Sequence, residues 1–482
     1  MGALSNLEPK NVFQYFEQLC SVPHGSGNTK QISDLCVRFA QEHGLRYRQD
    51  AVNNVVIWKD ASPGYENAEP LILQGHIDMV CAKTEDCAKD MAREGLDVRT
   101  DGASVWADKT SLGGDDGIAV AMAMAILADD TLPHPPLEAV FTVDEEVGMD
   151  GAFALDCSDL KGRRMLNIDS EEEGVFTASC AGGARIDSVL PGILFPLSGE
   201  KAYRLTLSGL LGGHSGMEIN KGRGNANYLM GRVLFMAKRA CPGLRLAELR
   251  GGMFDNVICR ECVAEAAVPA AQAEAFERFA AEFAETLRNE YAASDPGLTL
   301  TCEAAAPSMA FDAETTAKML HVLFNLPQGV QEMSFDFPGL VQTSLNMGVI
   351  SLDSDGLHFT YSIRSSIASQ KELLRRKLHD AVEYAGGKVS ERGDYPNWQY
   401  RKDSAFRALV LDAYRDLTGK EGRVDATHGG LECGLFISKI PGLDALSIGP
   451  NLHDVHSARE RLDVASTQRV YALVCEILRR CR

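Results

Sequence analysis

Residues 71–80, LILQGHIDMV, decide the fold class, because an apolar run there leads to the triplet His76-Ile77-Asp78. We expect residues 71–73 to form a buried strand that delivers His76 and Asp78 at its end. Strands that alternate with helices predict an α/β domain with a mixed, mostly parallel sheet flanked by helices. The neighbouring strands are predicted at 54–58, 139–143 and 165–168, and the helices at 28–43 and 117–129.

The pattern changes after the glycine pair at 182–183. Alternating strands at 203–207 and 357–363, with an amphipathic helix at 270–292, predict a separate α+β domain. The α/β pattern then resumes, with helices predicted at 404–417 and 466–480 and a buried strand at 445–448. The predicted organisation is therefore a catalytic domain of residues 1–186 and 401–482, interrupted by a large inserted α+β domain of residues 187–400.

The composition and net charge of the chain limit which kinds of molecule it is expected to bind. The 482 residues are 45% hydrophobic and 24% charged, an ordinary globular balance. The chain carries 48 basic and 67 acidic residues, a net charge of −19. Such a surface repels phosphate backbones and anionic lipid, so neither nucleic acid nor a membrane is an expected partner. Some of the carboxylates can also be ligands for divalent cations, which the charge alone does not distinguish from solubility.

The cysteines and the N-terminal sequence favour a cytoplasmic protein. The start, MGALSNLEPK, lacks the features of a signal peptide, and no run of 18 apolar residues exists. Thirteen scattered cysteines, an odd number, are typical of reduced thiols rather than of a disulfide framework. The single C-x-x-C, Cys259 to Cys262, lies in a stretch that is expected to be a strand.

Polar side chains cluster where the predicted strands end, which is where open α/β sheets bind ligands. Each position has an ordinary explanation: helix capping for the aspartate pair, and solvated strand ends or loops for the others. Five such positions together favour one shared site. They are His76 with Asp78, Asp115 with Asp116, the run Asp144, Glu145 and Glu146, then Asp169, and finally His453 and His456.

This set offers imidazole and carboxylate ligands without a thiolate. Two borderline divalent ions suit it, with zinc first and manganese or cobalt as alternatives. Two such ions about 3.5–4 Å apart hold a hydroxide and polarise a carbonyl, which is metal-assisted hydrolysis.

The chain resembles the co-catalytic di-zinc peptidases, a family of aminoacylases, carboxypeptidases and dipeptidases. The resemblance is collinear over nearly the whole chain and implies that family's zinc-peptidase fold with an inserted lid domain. Its carriers are LILQGHIDMV, WADKTSLGGDDGIAVAMAMA, FTVDEEVGMDGA, LNIDSEEEG, SGLLGGHSGMEINKGRGNAN, YSIRSS, HGGLECGLF and SIGPNLHDVHS.

The resemblance assigns roles to matching positions. Asp78 would orient a histidine ligand, and Glu145 would be the general base that takes a proton from the bridging water. His456 is preferred over His453, because HS after the SIGP strand matches the family. The implied metal ligands are His76 and Asp169 on one zinc, Glu146 and His456 on the other, and Asp115 between them.

The resemblance also implies a substrate site in the lid. His214 would stabilise the tetrahedral oxyanion, and Gly430 would lie along the substrate. Asn256 and Arg364 would bind the substrate's C-terminal carboxylate, for which a guanidinium fork is suited. Three positions depart from the family's usual residues without removing an expected ligand: Asp116, Cys259 and Ala458.

The expected activity is hydrolysis of unblocked dipeptides, including Xaa-His such as β-alanyl-histidine, by a hydroxide bridging two zinc ions. The nearest alternative is a related aminoacylase, tripeptidase or carboxypeptidase. Two further alternatives are a serine hydrolase and a non-catalytic binding protein. The serine hydrolase would use GHSGM at 213–217, which has methionine in place of the last glycine of the G-x-S-x-G motif. Small peptides are the expected partners. The size of the lid leaves a homodimer and a self-sufficient monomer both open.

Overall fold

The computed structural model describes residues 2–482, which divide into two compact units. The first contains residues 2–179, 400–426 and 431–482, and the second contains residues 180–399 and 427–430. The first division therefore falls at 179/180 instead of the predicted 186/187, because a long strand of the second unit begins at Gly182. The return of residues 427–430 to the second unit was not predicted.

The first unit begins with two helices and five strands, after which helices and strands alternate as far as residue 167. Its early helices are α1 (Lys10–Cys20), α2 (Lys30–Glu42), α3 (Gly114–Ala128) and α4 (Asp150–Ala154). Its early strands are β1 (Arg46–Gln49), β2 (Val55–Lys59), β3 (Leu71–His76), β4 (Val98–Thr100), β5 (Ser104–Ala107), β6 (Leu137–Thr142), β7 (Arg164–Asn167) and β8 (Val175–Cys180).

The second unit is built on a nine-stranded antiparallel sheet. Its helices are α5 (Ala226–Ala240), α6 (Ala273–Glu290), α7 (Ala313–Asn325) and α8 (Ala368–Tyr384), with 3-10 turns at Ile219–Lys221 and Ala270–Gln272. Its strands are β9 (Gly182–Pro191), β10 (Leu194–Pro196), β11 (Glu200–Ser208), β12 (Gly213–His214), β13 (Arg245–Gly251), β14 (Val257–Ile258), β15 (Cys262–Pro269), β16 (Thr299–Ala305), β17 (Met309–Phe311), β18 (Gly329–Met333), β19 (Val341–Asp353), β20 (Gly356–Ser365) and β21 (Lys388–Tyr395).

The last part of the chain completes the first unit. It contributes α9 (Ala405–Thr418), α10 (Glu432–Lys439) and α11 (Val464–Arg480). The strands are β22 (Arg423–Thr427), β23 (Asp444–Ser447), β24 (Leu452–His453) and β25 (Arg461–Asp463).

The main sheet of the first unit has eight strands in the order β1-β2-β6-β3-β7-β23-β8-β22. Its central strands β6, β3, β7 and β23 run parallel, whereas β1 with β2, β2 with β6, and β23 with β8 pair antiparallel. This confirms the predicted mixed α/β sheet with a parallel centre. The parallel pairing brings the C-terminal ends of β3, β6 and β7 to one edge.

The pattern of buried side chains explains why these segments form helices in the two units. Almost every side chain of α3 is buried, as expected for a helix that is apolar on all sides and packs against both α1 and β3. In the second unit, α6 is amphipathic, and it buries Phe276 and Leu287 in the core while its charged face lies outside.

The two cysteines of the C-x-x-C sequence do not form a disulfide. Cys259 and Cys262 are free thiols, buried next to β14 and at the start of β15. None of the helices within residues 2–482 combines the length and the apolar character needed to cross a membrane.

Candidate metal centre

The edge of the first unit's sheet gathers the predicted ligands. His76 is the last residue of β3, Glu145 and Glu146 follow β6, and Asp169 follows β7 by two residues. Asp115 lies at the start of α3 and His456 in the loop between β24 and β25. Parallel strands end at the same side of a sheet, so residues distant in sequence meet there.

Asp115 lies between the two histidines. Its Oδ1 is 3.2 Å from His76 Nε2, and its Oδ2 is 3.3 Å from His456 Nε2. His76 Nε2 is also 3.7 Å from Asp169 Oδ1, and His456 Nε2 is 2.9 Å from Glu146 Oε1. The five residues therefore form two groups, His76 with Asp169 and His456 with Glu146, and the carboxylate of Asp115 belongs to both.

The aspartate pair does not cap α3. Gly113 occupies the N-cap position, and no side chain makes a capping hydrogen bond there. Asp115 and Asp116 have non-helical φ and ψ, and the peptide bond between them is cis. Asp116 is buried and accepts a hydrogen bond from the backbone N–H of His76 at 3.2 Å. The ordinary explanation of this pair as helix caps is therefore wrong.

His76 is held in one orientation. Its Nδ1 donates to the backbone carbonyl of Asp78 at 3.0 Å and lies 3.5 Å from Asp78 Oδ1, which leaves Nε2 directed toward Asp115 and Asp169. Asp78 is itself fixed, because it accepts from Ser26 Oγ at 2.8 Å and from the Glu145 N–H at 3.1 Å.

The three adjacent acids after β6 have separate surroundings. Asp144, with a positive φ of 55°, accepts a hydrogen bond from the Gly27 N–H at 2.6 Å. Glu146 turns toward His456, whereas the Glu145 side chain makes no hydrogen bond to either histidine within residues 2–482. The left-handed backbone at Asp144 is a strained conformation for a residue with a side chain, and strain of this kind concentrates at functional sites.

The acidic side chains at this edge of the sheet favour the binding of cations. Burial, reinforced by the charges of Asp169, Glu432 and Glu146, raises the pKa of Glu145 well above its ordinary value. Burial likewise raises the pKa of Asp169 to about 7. The neighbouring carboxylates of Asp115 and Glu146 raise the pKa of His456 to about 10. Buried carboxylates so close together are costly unless a cation lies between them.

The donor set fits divalent metal ions. His76, Asp116 and Asp169, and also His76, Asp115 and Glu146, present ligand atoms that all lie within 4.8 Å of one another. Glu146 Oε1 is buried and makes no hydrogen bond within the described part of the chain. An acceptor-only oxygen of this kind, facing a ring nitrogen, is satisfied by a metal ion between them. His453 and His456 are both exposed, so burial does not distinguish them, but His456 Nε2 lies 3.3 Å from Asp115 Oδ2 and 2.9 Å from Glu146 Oε1.

Sequence reasoning missed Glu460, which holds the loop that carries Asp115. Its carboxylate is buried and accepts from the N–H groups of Leu112 at 2.7 Å, Gly113 at 3.1 Å and Gly114 at 2.8 Å. The loop that carries His456 is thereby fastened to the loop that carries Asp115. A glutamate four residues after a histidine gives no local signal of this long-range contact.

In the second unit, His214 presents one ring nitrogen as a donor. Its Nδ1 accepts from the N–H groups of Gly216 at 3.3 Å and Met217 at 3.1 Å, so the proton of the neutral ring lies on Nε2. Burial and the charge of Arg364 lower the pKa of His214, which favours this neutral form. The carbonyl of Asn256 accepts from the Ser215 N–H at 2.9 Å, so Asn256 lies beside this loop.

Arg364 on β20 lies within the same unit. Its Nη1 donates to Tyr395 Oη at 3.3 Å and to the backbone carbonyl of His428 at 3.4 Å. His428 lies two residues before Gly430 in the sequence. Its Nε is buried and makes no hydrogen bond within residues 2–482. His428, which sequence reasoning did not single out, is buried with Nε2 2.7 Å from Ser344 Oγ, and burial lowers its pKa to about 3.

The serine of GHSGM is unsuited to nucleophilic catalysis. Ser215 is buried, and its Oγ has no hydrogen-bond partner among the described residues. A serine nucleophile needs an adjacent base within hydrogen-bond reach, and the Nδ1 of His214 is already occupied by two backbone N–H groups. This geometry speaks against the serine hydrolase alternative.

Comparison with known proteins identifies the family. The chain is 38% identical to the cytosol non-specific dipeptidase of Escherichia coli K12, over 99% of both chains. Residues 205–295 match the peptidase dimerisation domain of the M20 family. This chain belongs to the cytosol non-specific dipeptidases of the M20 metallopeptidase family.

Solved structures of the family agree. The aminoacylhistidine dipeptidase of Vibrio alginolyticus superposes with a TM-score of 0.91 and 36% identity, over 98% of this chain and 97% of that one. An aminopeptidase of Bacillus cereus matches with a TM-score of 0.57 and 14% identity, over 98% and 99% of the two chains, and shows the shared fold alone. The expected family and the expected zinc-peptidase fold with an inserted domain are therefore confirmed.

Proposed function

We propose that this chain hydrolyses unblocked dipeptides, including Xaa-His such as β-alanyl-histidine, with two divalent ions at the sheet edge. The observation that carries the proposal is the division of five side chains into two groups joined by Asp115. His76 and Asp169 would hold one ion and Glu146 and His456 the other, with Asp115 shared between them. The names of the two relatives at 36–38% identity, both dipeptidases, supply the substrate class.

The residues of the chain have distinct parts in the mechanism. Bound divalent ions supply Lewis-acid polarisation of the scissile carbonyl and make a water molecule acidic. Glu145 accepts the proton of the attacking water and passes it to the leaving amine, for which a raised pKa is an advantage. Asp78 keeps His76 in the tautomer that leaves Nε2 free to ligate.

The second unit provides the proposed substrate contacts. The Nε2–H of His214 donates to the oxyanion that develops on the carbonyl oxygen. Arg364 and Asn256 bind the free C-terminal carboxylate, and Gly430 lies along the substrate backbone. The unsatisfied Nε of Arg364 supports this assignment, because a guanidinium fork binds a carboxylate through two parallel hydrogen bonds.

Three finer points belong to the same proposal. Zinc is the proposed metal, with manganese and cobalt as alternatives, because nitrogen and oxygen ligands without thiolate suit all three. A homodimer is proposed from the match of residues 205–295 to a peptidase dimerisation domain. A cytoplasmic location is proposed because the E. coli relative is named for the cytosol.

A substrate panel tests the activity. We expect the metal-loaded protein to hydrolyse free dipeptides at least about tenfold faster, by kcat/KM, than matched tripeptides and N-acylated amino acids. Release of amino acids from β-alanyl-histidine, alanyl-histidine, trialanine and N-acetylalanine would be followed side by side. Faster hydrolysis of the tripeptide or of the acylated amino acid would assign the chain to another amide hydrolase of the same fold.

Arg364→Ala should weaken substrate binding. Hydrogen bonds to a charged group contribute about 1.5–3 kcal/mol, so KM for a free dipeptide should rise by about 10- to 150-fold. The same variant should change KM little for a dipeptide amide, which lacks the carboxylate. Arg204→Ala removes a surface arginine that pairs with Glu265, and it is the control whose KM stays unchanged. An equal loss on acid and amide substrates would contradict the assignment.

A further inference from the structure

A buried polar layer lies beneath the proposed metal centre. Gln74, Thr142 and Asn167 lie on β3, β6 and β7, two or three residues before His76, Glu145 and Asp169, respectively. Their exposed fractions are 2%, 0% and 0%. The interior of a parallel sheet is ordinarily apolar, so three polar side chains at this level need a structural reason.

The layer is a directed chain of hydrogen bonds that crosses the three strands. Asn167 Nδ2 donates to Gln74 Oε1 at 2.6 Å, and Gln74 Nε2 donates to Glu432 Oε2 at 2.5 Å. Thr142 Oγ1 donates to the same oxygen of Glu432 at 2.7 Å. The hydrogen bonds lead from Asn167 on β7 through Gln74 on β3, and from Thr142 on β6, to Glu432 Oε2, which accepts from both Gln74 and Thr142.

Glu432 is the first residue of α10 and is fully buried. Its Oε1 makes no hydrogen bond within residues 2–482, and burial raises the pKa of the carboxyl to about 7. The charge of His76 lowers the pKa of Glu432, and the charge of Asp78 raises it. No mechanistic step described above uses this residue.

Removal of the acceptor would leave two buried donors with only longer contacts. Gln74 Nε2 retains only a longer 3.2 Å contact to Thr142 Oγ1, and the hydroxyl of Thr142 only a 3.4 Å contact to the Gly75 carbonyl. Poorly satisfied buried donors destabilise the folded state. The strands would relieve that destabilisation by shifting relative to one another, and the ligands at their ends would move with them.

We propose that Glu432 is a positioning residue that fixes β3, β6 and β7 at the relative heights at which His76, Glu146 and Asp169 surround the metal ions. The inference rests on the proposed function, because those side chains are proposed ligands. Groups that orient metal ligands typically change metal affinity about 10- to 100-fold when they are removed.

Metal affinity of four proteins tests the inference. Dissociation constants for zinc would be measured by competition with a chromogenic chelator, and visible absorption would be recorded on the cobalt-loaded forms. We expect Glu432→Leu to bind zinc about 10- to 100-fold more weakly and to shift the cobalt bands. Glu432→Gln retains an acceptor oxygen of the same reach and should stay within about threefold of the unaltered protein.

Glu138→Leu is the matched control. Glu138 is a buried carboxylate at the opposite end of β6, where it accepts from the N–H groups of Lys161 at 2.9 Å and Gly162 at 2.9 Å. Its replacement should lower the Tm while the zinc affinity and the cobalt spectrum remain unchanged. If Glu432→Leu does not fold, Thr142→Val, which removes one donor with little change of shape, should show an intermediate loss of affinity.

The outcomes separate the two proposals. An unaltered protein that binds zinc, together with a Glu432→Leu variant of equal affinity and spectrum, would overturn the positioning role alone. Equal losses in Glu432→Gln and Glu432→Leu would overturn it as well, because charge and not hydrogen bonding would then be decisive. An unaltered protein that binds no divalent metal would overturn the proposed function, and this inference with it.

Discussion

Glu145→Gln is expected to retain its metal ions and to lose about 100- to 10,000-fold in kcat, the usual contribution of a general base. Glutamine has nearly the shape of glutamate but takes up no proton from water at neutral pH. The Glu145 side chain is not one of the five proposed ligands, and its backbone N–H bond to Asp78 is independent of the side chain. Metal analysis and steady-state kinetics on the same preparation give the measurement.

Glu172→Gln is the control for this substitution. Glu172 is an exposed glutamate that pairs with Arg423 at the surface, so its replacement removes the same charge without touching the centre. Its kcat should equal that of the unaltered protein. A Glu145→Gln variant that turns over at more than about a tenth of the normal rate would assign the base elsewhere.

Removal of the metal ions should abolish dipeptide hydrolysis. Dialysis against a strong chelator is expected to bring the rate to background, because polarisation of the carbonyl and activation of water both depend on the ions. Addition of zinc or manganese should restore activity, with a titration endpoint of two ions per chain. Full activity in excess chelator would refute the proposed chemistry.

The metal-free protein should remain folded but less stable. His76 and His456 lie within 4 Å of Asp115, Asp169 and Glu146, so the acidic side chains retain cationic partners when the histidines are protonated. A ligand that binds only the folded state stabilises it by RT ln(1 + [L]/Kd), about 2.7 kcal/mol at a hundredfold excess over Kd. Thermal unfolding with and without zinc would measure that difference as a rise in Tm.

The sequence predicted the strand ends well, because an apolar run that stops at a charged residue is a local pattern. The helix predicted at 270–292 corresponds to a 3-10 turn followed by α6, and that predicted at 466–480 to α11. The same reasoning marked the strand ends that carry candidate ligands, and the family resemblance selected His76, Asp115, Glu146, Asp169 and His456 among them, which the structure brings together. Their roles remain predictions that the experiments above address.

Contacts between residues far apart in the sequence could not be predicted from local sequence patterns. Glu460 and Glu432 are single acidic residues in an acidic chain, and only the folded structure shows that each is buried against backbone or side-chain donors from distant segments. The segment 427–430 belongs to the second unit through backbone hydrogen bonds such as that from the Ala181 N–H to the Thr427 carbonyl. Hydrophobic periodicity contains no information about such pairings.

The position of β23 in the parallel centre of the sheet has a consequence for synthesis on the ribosome. β7 ends at Asn167, and its parallel neighbour β23 begins only at Asp444, after the whole of residues 180–399. The emerging chain therefore completes every strand of the second unit before the first unit can close its sheet. His456 is translated later still, so a nascent chain lacks one of the five proposed ligands and stays inactive until its last segment is made. A prematurely terminated chain lacks that ligand permanently.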